Sequence, residues 1–323
     1  MINIDLNTPI NELTGFLNNH NVLFNNEDLL KSSKAGEGNM NVVLRVKTNQ
    51  RSFIFKQSRP YVQKYQHIPA PIDRIDVEYN FYKAVEEIES NNSFPKIINY
   101  CKKSFFMIQE DLGNSDDFLS IYKSKRINEK SIVKLTKVLK QIHSCKHDIN
   151  YPLNTELKKL NHQHIFVLPF IKENGFSLNS VQPGLEKLAN SFISNDSLIN
   201  KSIIIGNEYL KKGKTLLHGD FYPGSWMQND QEIYVIDPEF SFVGDLEFDL
   251  GVFIAHIIIV TLKEKYLSDI INYYSASIDQ ELVNYYTSIE IIRRIIGLAQ
   301  LPINLSLDEK EKLLKFSKGL LLN

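Results

Sequence analysis

The sequence predicts an α+β protein of two lobes, a small β-rich lobe followed by a larger, mainly helical one. Three observations lead there. Short runs of β-branched and aromatic residues fill the first third of the chain. From residue 129 onward, apolar residues recur at helical spacing. The 323 residues also exceed what one compact core usually holds. The lobes divide at 112, giving 1–112 and 113–323.

Residues 41–46 and 52–56 read as two strands around the polar turn 47–51, which is the spacing of a hairpin. A helix is expected over 73–90, with Ile75, Tyr79, Tyr82 and Val85 on one face. The segment 91–95 breaks it, and 97–100 and 104–109 read as further strands. Over 130–143, Ile132, Leu135, Val138, Leu139 and Ile142 mark a helix. Short strands and turns return between 213 and 244, and helices are expected over 249–264, 267–286 and 289–298. The apolar run 251–262 contains His256 and is too short to span a bilayer, so it reads as a buried helix.

Apolar residues make up 43% and charged residues 23%, as in ordinary globular domains. Lys+Arg (37) and Asp+Glu (38) nearly cancel, leaving no overall field to capture nucleic acid or an anionic membrane. A few arginines suffice for a local anion site. Two cysteines, Cys101 and Cys145, are too few for a disulfide scaffold or a four-cysteine zinc site, and a reduced compartment fits best. The first residues lack the basic start and apolar core of a secretory signal, so the expected location is the cytoplasm.

Chemistry concentrates between His218 and Glu239. Leu216-Leu217 leads into His218-Gly219-Asp220, and the apolar strand 233–236 leads into Asp237-Pro238-Glu239. An aspartate in a turn is ubiquitous. Two acidic clusters 17 positions apart, each after an apolar run, are not. Phosphoryl transfer needs such a pair, with one carboxylate to take the proton of the attacking hydroxyl and others to hold a divalent metal on the phosphates. Asp220 is therefore the candidate base and Asp237 the principal metal ligand.

Earlier in the chain, Gly36 and Gly38 bracket a polar turn whose backbone N–H groups could approach phosphate oxygens, although an ordinary β-turn accounts for it too. Lys56 lies in the apolar strand Phe53-Ile-Phe-Lys, where burial is costly without a partner. Glu78 on the following helix is a candidate, and such a pair positions ATP phosphates in kinases. The alternative is a lysine snorkelling from an edge strand. Gln109-Glu110-Asp111-Leu112, at the lobe boundary, suits a segment whose backbone reads adenine, or a plain strand-to-loop transition. Glu290, Arg293 and Arg294 share one terminal helix. Adjacent arginines diverge by about 100°, and pairing with Glu290 at i+3 and i+4 on a solvated face is the simpler reading. The many isoleucines around them leave a buried, cleft-facing arginine open. His162 and His164 lack metal-ligand partners in sequence; His143 and Trp226 read as packed residues.

Assembled, these segments resemble the methylthioribose kinases, within the aminoglycoside phosphotransferase-like branch of the protein-kinase fold. EGNMN, FKQSRPYV, MIQEDL, HGDFYPGS, VIDPEFSFVGDLEFDLG and IIRRIIGLA occur in that family's order between about 36 and 301. The resemblance implies ATP and Mg²⁺ as cofactors, with Asp220 as base and Asp237 and Glu239 as metal ligands. Ser225 stands where relatives commonly carry Asn, and the extra carboxylate of Glu239 can make up for so weak a metal ligand. It further implies phosphate contacts from Gly36, Gly38, Asn39 and Lys56, the last braced by Glu78, and adenine contacts from Gln109, Glu110 and Leu112. Arg293 and Arg294 match an arginine pair near the sugar and the transferred phosphate, and Asp249 matches an acid that braces the catalytic loop.

The chain departs from that pattern by compression between 183 and 213, and by Phe-Tyr-Pro-Gly where Leu-His-Thr-Gly is usual. Tyr222 and Pro223 therefore leave the acceptor open. Three functions follow: a kinase for the anomeric hydroxyl of S-methyl-5-thioribose or a close 5-substituted ribose; a kinase for another sugar, amino alcohol or aminoglycoside; or a nucleotide-binding pseudokinase. The expected partners are ATP and a small sugar-like substrate, with no nucleic acid and no membrane. A homodimer is compatible with the sequence, which does not fix the oligomeric state.

Overall fold

A computed structural model describes residues 2–36, 40–88, 93–172, 174–229 and 232–322. The first lobe is built on an antiparallel sheet of β1 (Leu29–Lys34), β2 (Val42–Thr48), β3 (Ser52–Gln57), β4 (Ile97–Cys101) and β5 (Phe106–Glu110), in the order β1-β2-β3-β5-β4. Helix α1 (Ile10–Asn19) was not foreseen from sequence. Its Leu13, Phe16 and Leu17 pack with Phe53, Phe55 and Phe106 on one face of the sheet. Side chains alternate along a strand, so Phe53 and Phe55 point to α1, whereas Ile54 and Lys56 face the cleft. Helix α2 (Arg74–Glu86) starts where expected and ends short of 90, with Ile75, Tyr82 and Val85 buried. The expected break at 91–95 falls partly outside the described residues.

After a short helix at Ser120–Ser124, the second lobe continues with α3 (Glu129–Ser144), capped by the Asn128 side chain on Lys130 N–H. The stretch that looked compressed contains ordered helices: after α4 (Thr155–His162) come α5 (Leu185–Ile193) and α6 (Asp196–Leu210). Two short ladders follow. β6 (Thr215–Leu217) pairs with β9 (Phe242–Gly244), and β7 (Trp226–Gln228) pairs with β8 (Ile233–Val235). These ladders carry the two acidic turns at their ends.

Helix α7 (Leu246–Thr261) is apolar all round and buried from Glu247 to Val260, as such a helix must be. Glycine inside a helix costs about 1 kcal/mol relative to alanine. At Gly251 the close approach explains it, since a Cβ there would come within 2.6 Å of Tyr286 Cβ on the facing helix. Trp226 is fully buried, as expected.

One boundary differs from expectation. Instead of helices over 267–286 and 289–298, the chain forms α8 (Tyr266–Tyr274) and an unbroken α9 (Gln280–Ile296), followed by α10 (Leu307–Leu322). Ser275 takes a left-handed φ of 48° that ends α8, and the Asp279 carboxylate accepts Leu282 N–H to start α9. Thr287-Ser288 does not break α9, because both are buried and Ser288 donates its hydroxyl to Ser317 O on α10. Among the described residues, no helix is long and apolar enough to cross a membrane.

Candidate active site

A cavity of about 590 Å³ lies between the lobes, within the usual range for small-molecule sites. Gly36, Val43 and Ile54 line one side, Met227, Ile236 and Asp237 another, and Gln109, Glu110 and Leu112 the back edge. Apolar side chains above and below, with strand-end backbone at the edge, suit a flat heteroaromatic ring. Gly36 has a φ of +86°, a backbone that favours glycine. Gly38 and Asn39, expected beside it, lie outside the described residues.

At the inner end, Lys56 Nζ stands 2.7 Å from Glu78 Oε2 and 2.6 Å from Asp237 Oδ1. Lysine and glutamate are almost fully buried, whereas the Asp237 side chain is half exposed. Burial alone would lower the lysine pKa, but Asp237 and Glu78 outweigh it and hold the ammonium above its ordinary value. Burial pushes the Glu78 carboxyl up, opposed by Lys56. Gln109 completes the group by donating Nε2–H to Glu78 Oε1 at 3.2 Å. The pairing reading of Lys56 is therefore the one realised, and snorkelling is not. Asp237 itself has a left-handed φ of 59°, which costs a non-glycine residue about 1–2 kcal/mol and recurs where function dictates conformation.

Glu239, two residues on, is buried and turned toward the first lobe. Its Oε2 accepts Asn41 Nδ2–H at 2.8 Å and lies 3.3 Å from Arg74 Nε. Arg74 is itself fully buried and donates to the carbonyls of Arg59, Pro71 and Met40. Among the described residues, no three His, Cys, Asp or Glu side chains cluster as a metal cage.

The turn that carries Asp220 is held from behind. Asp249 on α7 is fully buried and accepts the backbone N–H of His218 at 2.6 Å and of Gly219 at 3.0 Å. His143 Nε2 approaches the same carboxylate at 3.4 Å. The His218 ring spans the two acidic turns, bonding Ile236 O through Nε2 and accepting Asp220 N–H at Nδ1. An imidazole that donates on one side and accepts on the other is neutral, in keeping with the lowering of its pKa by burial. Gly219 has a φ of +83°, and a Cβ there would lie 2.1 Å from the Phe240 carbonyl oxygen, so only glycine fits between the turns. Ser225 donates its hydroxyl to Asp220 O at 2.9 Å and keeps its lone pairs as acceptors.

Asp220 is partly exposed. Among the described residues, no hydrogen bond or ion pair closes on its carboxylate. Burial raises its pKa to about 6, against the pull of Arg294 and Arg293. Those arginines do not diverge to different partners. Arg293 binds both Glu290 oxygens, and Arg294 Nε donates to Glu290 Oε1 at 2.7 Å. Glu290 is 1% exposed, so the i+3/i+4 pairing exists but on a buried face, not a solvated one. His256 Nε2 reaches Glu290 Oε1 at 3.1 Å, and Tyr122 OH reaches His256 Nδ1 at 2.6 Å. Burial lowers the His256 pKa to about 4, which keeps the ring neutral. The Arg294 guanidinium lies 5.4 Å from the Tyr222 ring centroid.

Tyr122, His256, Arg74 and Asn41 were not foreseen. A histidine alone in the apolar run 251–262 was the available signal for His256; Arg74 and Asn41 offered none. Glu290→Gln would leave two buried arginines without a counter-charge. It is expected to destabilise the fold by about 3–5 kcal/mol, read as a lowered midpoint in urea unfolding.

Two lobes around a cleft, with a buried Lys–Glu pair above and an Asp-bearing loop below, define a protein-kinase-like phosphotransferase fold. The chain belongs to the phosphotransferase enzyme family, which matches residues 33–285. Among proteins of known name, it is similar to the methylthioribose kinase of Exiguobacterium sibiricum, 26% identical over 70% of this chain and 60% of that one. It is equally similar to the methylthioribose kinase of Escherichia coli O45:K1, 26% identical over 71% of this chain and 57% of that one. The chain thus matches less than two thirds of either relative's length. Among solved structures, it superposes on a choline kinase from Cryptosporidium parvum with a TM-score of 0.56 at 13% identity, covering 97% of this chain and 94% of that one. For the choline kinase LicA from Streptococcus pneumoniae the TM-score is 0.54 at 14% identity, covering 96% and 99%. At these identities the likeness is one of fold.

Proposed function

We propose that this protein transfers the γ-phosphoryl group of ATP to a hydroxyl of a small sugar, first of all the anomeric hydroxyl of S-methyl-5-thioribose or a close 5-substituted ribose. The observation that carries the reading is Lys56 held between Glu78 and Asp237 at the inner end of the cleft. In this reading the lobes 1–112 and 113–323 close on the nucleotide, with adenine against Gln109, Glu110 and Leu112. Lys56 contacts the phosphates. Asp220, its carboxylate free of partners among the described residues, takes the proton of the acceptor hydroxyl. Arg294 and Arg293 offset the charge of the group in flight.

The donor set fits a magnesium ion brought by the nucleotide. Mg²⁺ takes one or two carboxylates plus phosphates and water, not an all-protein cage. Asp237, half exposed in the cleft, would hold it; Ser225 could add a hydroxyl lone pair, whereas Glu239 would first have to leave Asn41 and Arg74. When bound, the ion neutralises phosphate charge and orients the phosphoryl group for transfer.

Tyr222 favours a second reading, another small hydroxyl acceptor. Its ring lines the cavity and leans over Gly224, beside Arg294, where the acceptor would approach. An ADP-release assay with Mg·ATP across S-methyl-5-thioribose, other sugars, amino alcohols and aminoglycosides tests both. Turnover is expected with the thioribose. Turnover confined to another acceptor selects the second reading, and none with any acceptor sets both aside.

A further inference from the structure

A second cavity, of about 180 Å³, lies on the far side of Arg294. At about 30 Å³ per water it has room for roughly six waters. The C-terminal end of the short helix Leu178–Val181, α7, α9 and the segment leading into α10 enclose it. Val181 and Asn304 at its rim are exposed, so the cavity reaches the surface.

Two of its lining groups are out of balance with their surroundings. Lys310 is 6% exposed, yet its ammonium meets no hydrogen-bond or ion-pair partner among the described residues. Burial alone draws its pKa down. The neighbouring Glu309 is engaged by Lys125 at 3.0 Å and by Ser306 N–H at 2.8 Å. Lys310 also sits in the first turn of α10, where the helix dipole disfavours a cation. A lysine so placed would ordinarily extend into water. Opposite in demand, Gln182 Oε1 is buried without a donor among the described residues, a rare state for a native polar atom. Arg294 adds a second cation to the wall. A ligand that satisfies Lys310 and Gln182 beside the Arg294 guanidinium carries negative charge and at least one hydrogen-bond donor.

We propose that this cavity is a binding site for a small oxyanion bearing a hydroxyl, a phosphate or phosphate monoester, with Lys310 and Arg294 taking the charge and Gln182 Oε1 accepting the hydroxyl proton. The site is separate from the nucleotide cleft and does not rest on the kinase reading. It shares Arg294 with the group around Asp220, so its occupancy bears on the field at that carboxylate.

The test is calorimetric titration of inorganic phosphate into the full chain at constant ionic strength, with ADP present to fill the nucleotide cleft. Saturable binding is expected. Lys310→Met, which keeps the apolar stem, should weaken it about tenfold or more, the scale of one lost charge-assisted hydrogen bond. Gln182→Leu, which lies outside α10, should weaken it by a smaller factor and serves if Lys310→Met fails to fold. Absence of saturable phosphate binding by the wild-type chain overturns the proposal. Equal affinity in wild type and both variants also overturns it, by placing the phosphate elsewhere. Neither result depends on turnover, so a chain inactive on every acceptor can still bind phosphate here.

Discussion

Asp220→Asn is expected to lower kcat by about 10²–10⁴-fold, the usual contribution of a positioned general base, with the affinity for ATP nearly unchanged. The amide keeps the shape of the side chain but cannot accept the hydroxyl proton. The pH dependence separates this from a structural effect. An ordinary aspartate has a pKa near 3.8, and burial raises this one to about 6, so the wild-type rate should climb as pH rises through about 6. The variant's residual rate should lose that limb.

Stability moves in the other sense. The folded state favours the protonated carboxyl, so ionisation withdraws stability as pH rises from about 4 to about 6. Above that range the neutral amide of the Asp220→Asn variant removes the burden, and this variant should melt no lower than wild type at pH 7.5. A wild-type kcat/KM that is flat between pH 5 and pH 8, or a variant with full turnover, would remove Asp220 from the role of base.

Lys56→Met should act on stability and catalysis together. It strips the counter-ion from Glu78, which is fully buried, and removing one member of a buried pair costs about 3–5 kcal/mol. It also removes the proposed phosphate contact, so KM for ATP should rise and kcat/KM fall. The double variant Lys56→Met/Glu78→Gln distinguishes the two effects. With the buried charge gone from both sides, most of the stability should return while kcat/KM stays low. Urea unfolding and steady-state kinetics on the wild type, both single variants and the double variant complete the cycle. A double variant no more stable than Lys56→Met alone would show that the pair is not what the lysine holds in place.

How much was legible in the sequence follows from what each signal encodes. Strand alternation and helical period are local, so β2, β3, β5, α2, α3 and α7 could be read within a few residues of their ends. The acidic turns were legible for the same reason, each announced by the apolar strand before it. Spacing names neighbours but not their surroundings. Glu290, Arg293 and Arg294 were correctly seen as partners, yet their burial depends on α7 and on His256, which i+3 and i+4 do not report. The partners of Glu239 lie far away in sequence, at Asn41 and Arg74. Only the meeting of the lobes brings them together. The end of α8 was misplaced because Ser275 and Asp279 stop and restart a helix through backbone conformation and capping, within a segment whose apolar period continues.

The turn 237–239 carries a mechanical consequence. Two ionic ties leave it for the first lobe within three residues, Asp237 to the strand β3 and Glu239 to the helix α2. Sliding one lobe past the other would break both ties at once. Rotation centred on the turn lengthens them least. An opening that kept both ties would be a swing about this short pivot, with travel growing in proportion to distance from it. On the proposed reading, Asp220 and Asp237 would lie near that axis, where displacement is smallest, and the mouth of the cleft would travel furthest.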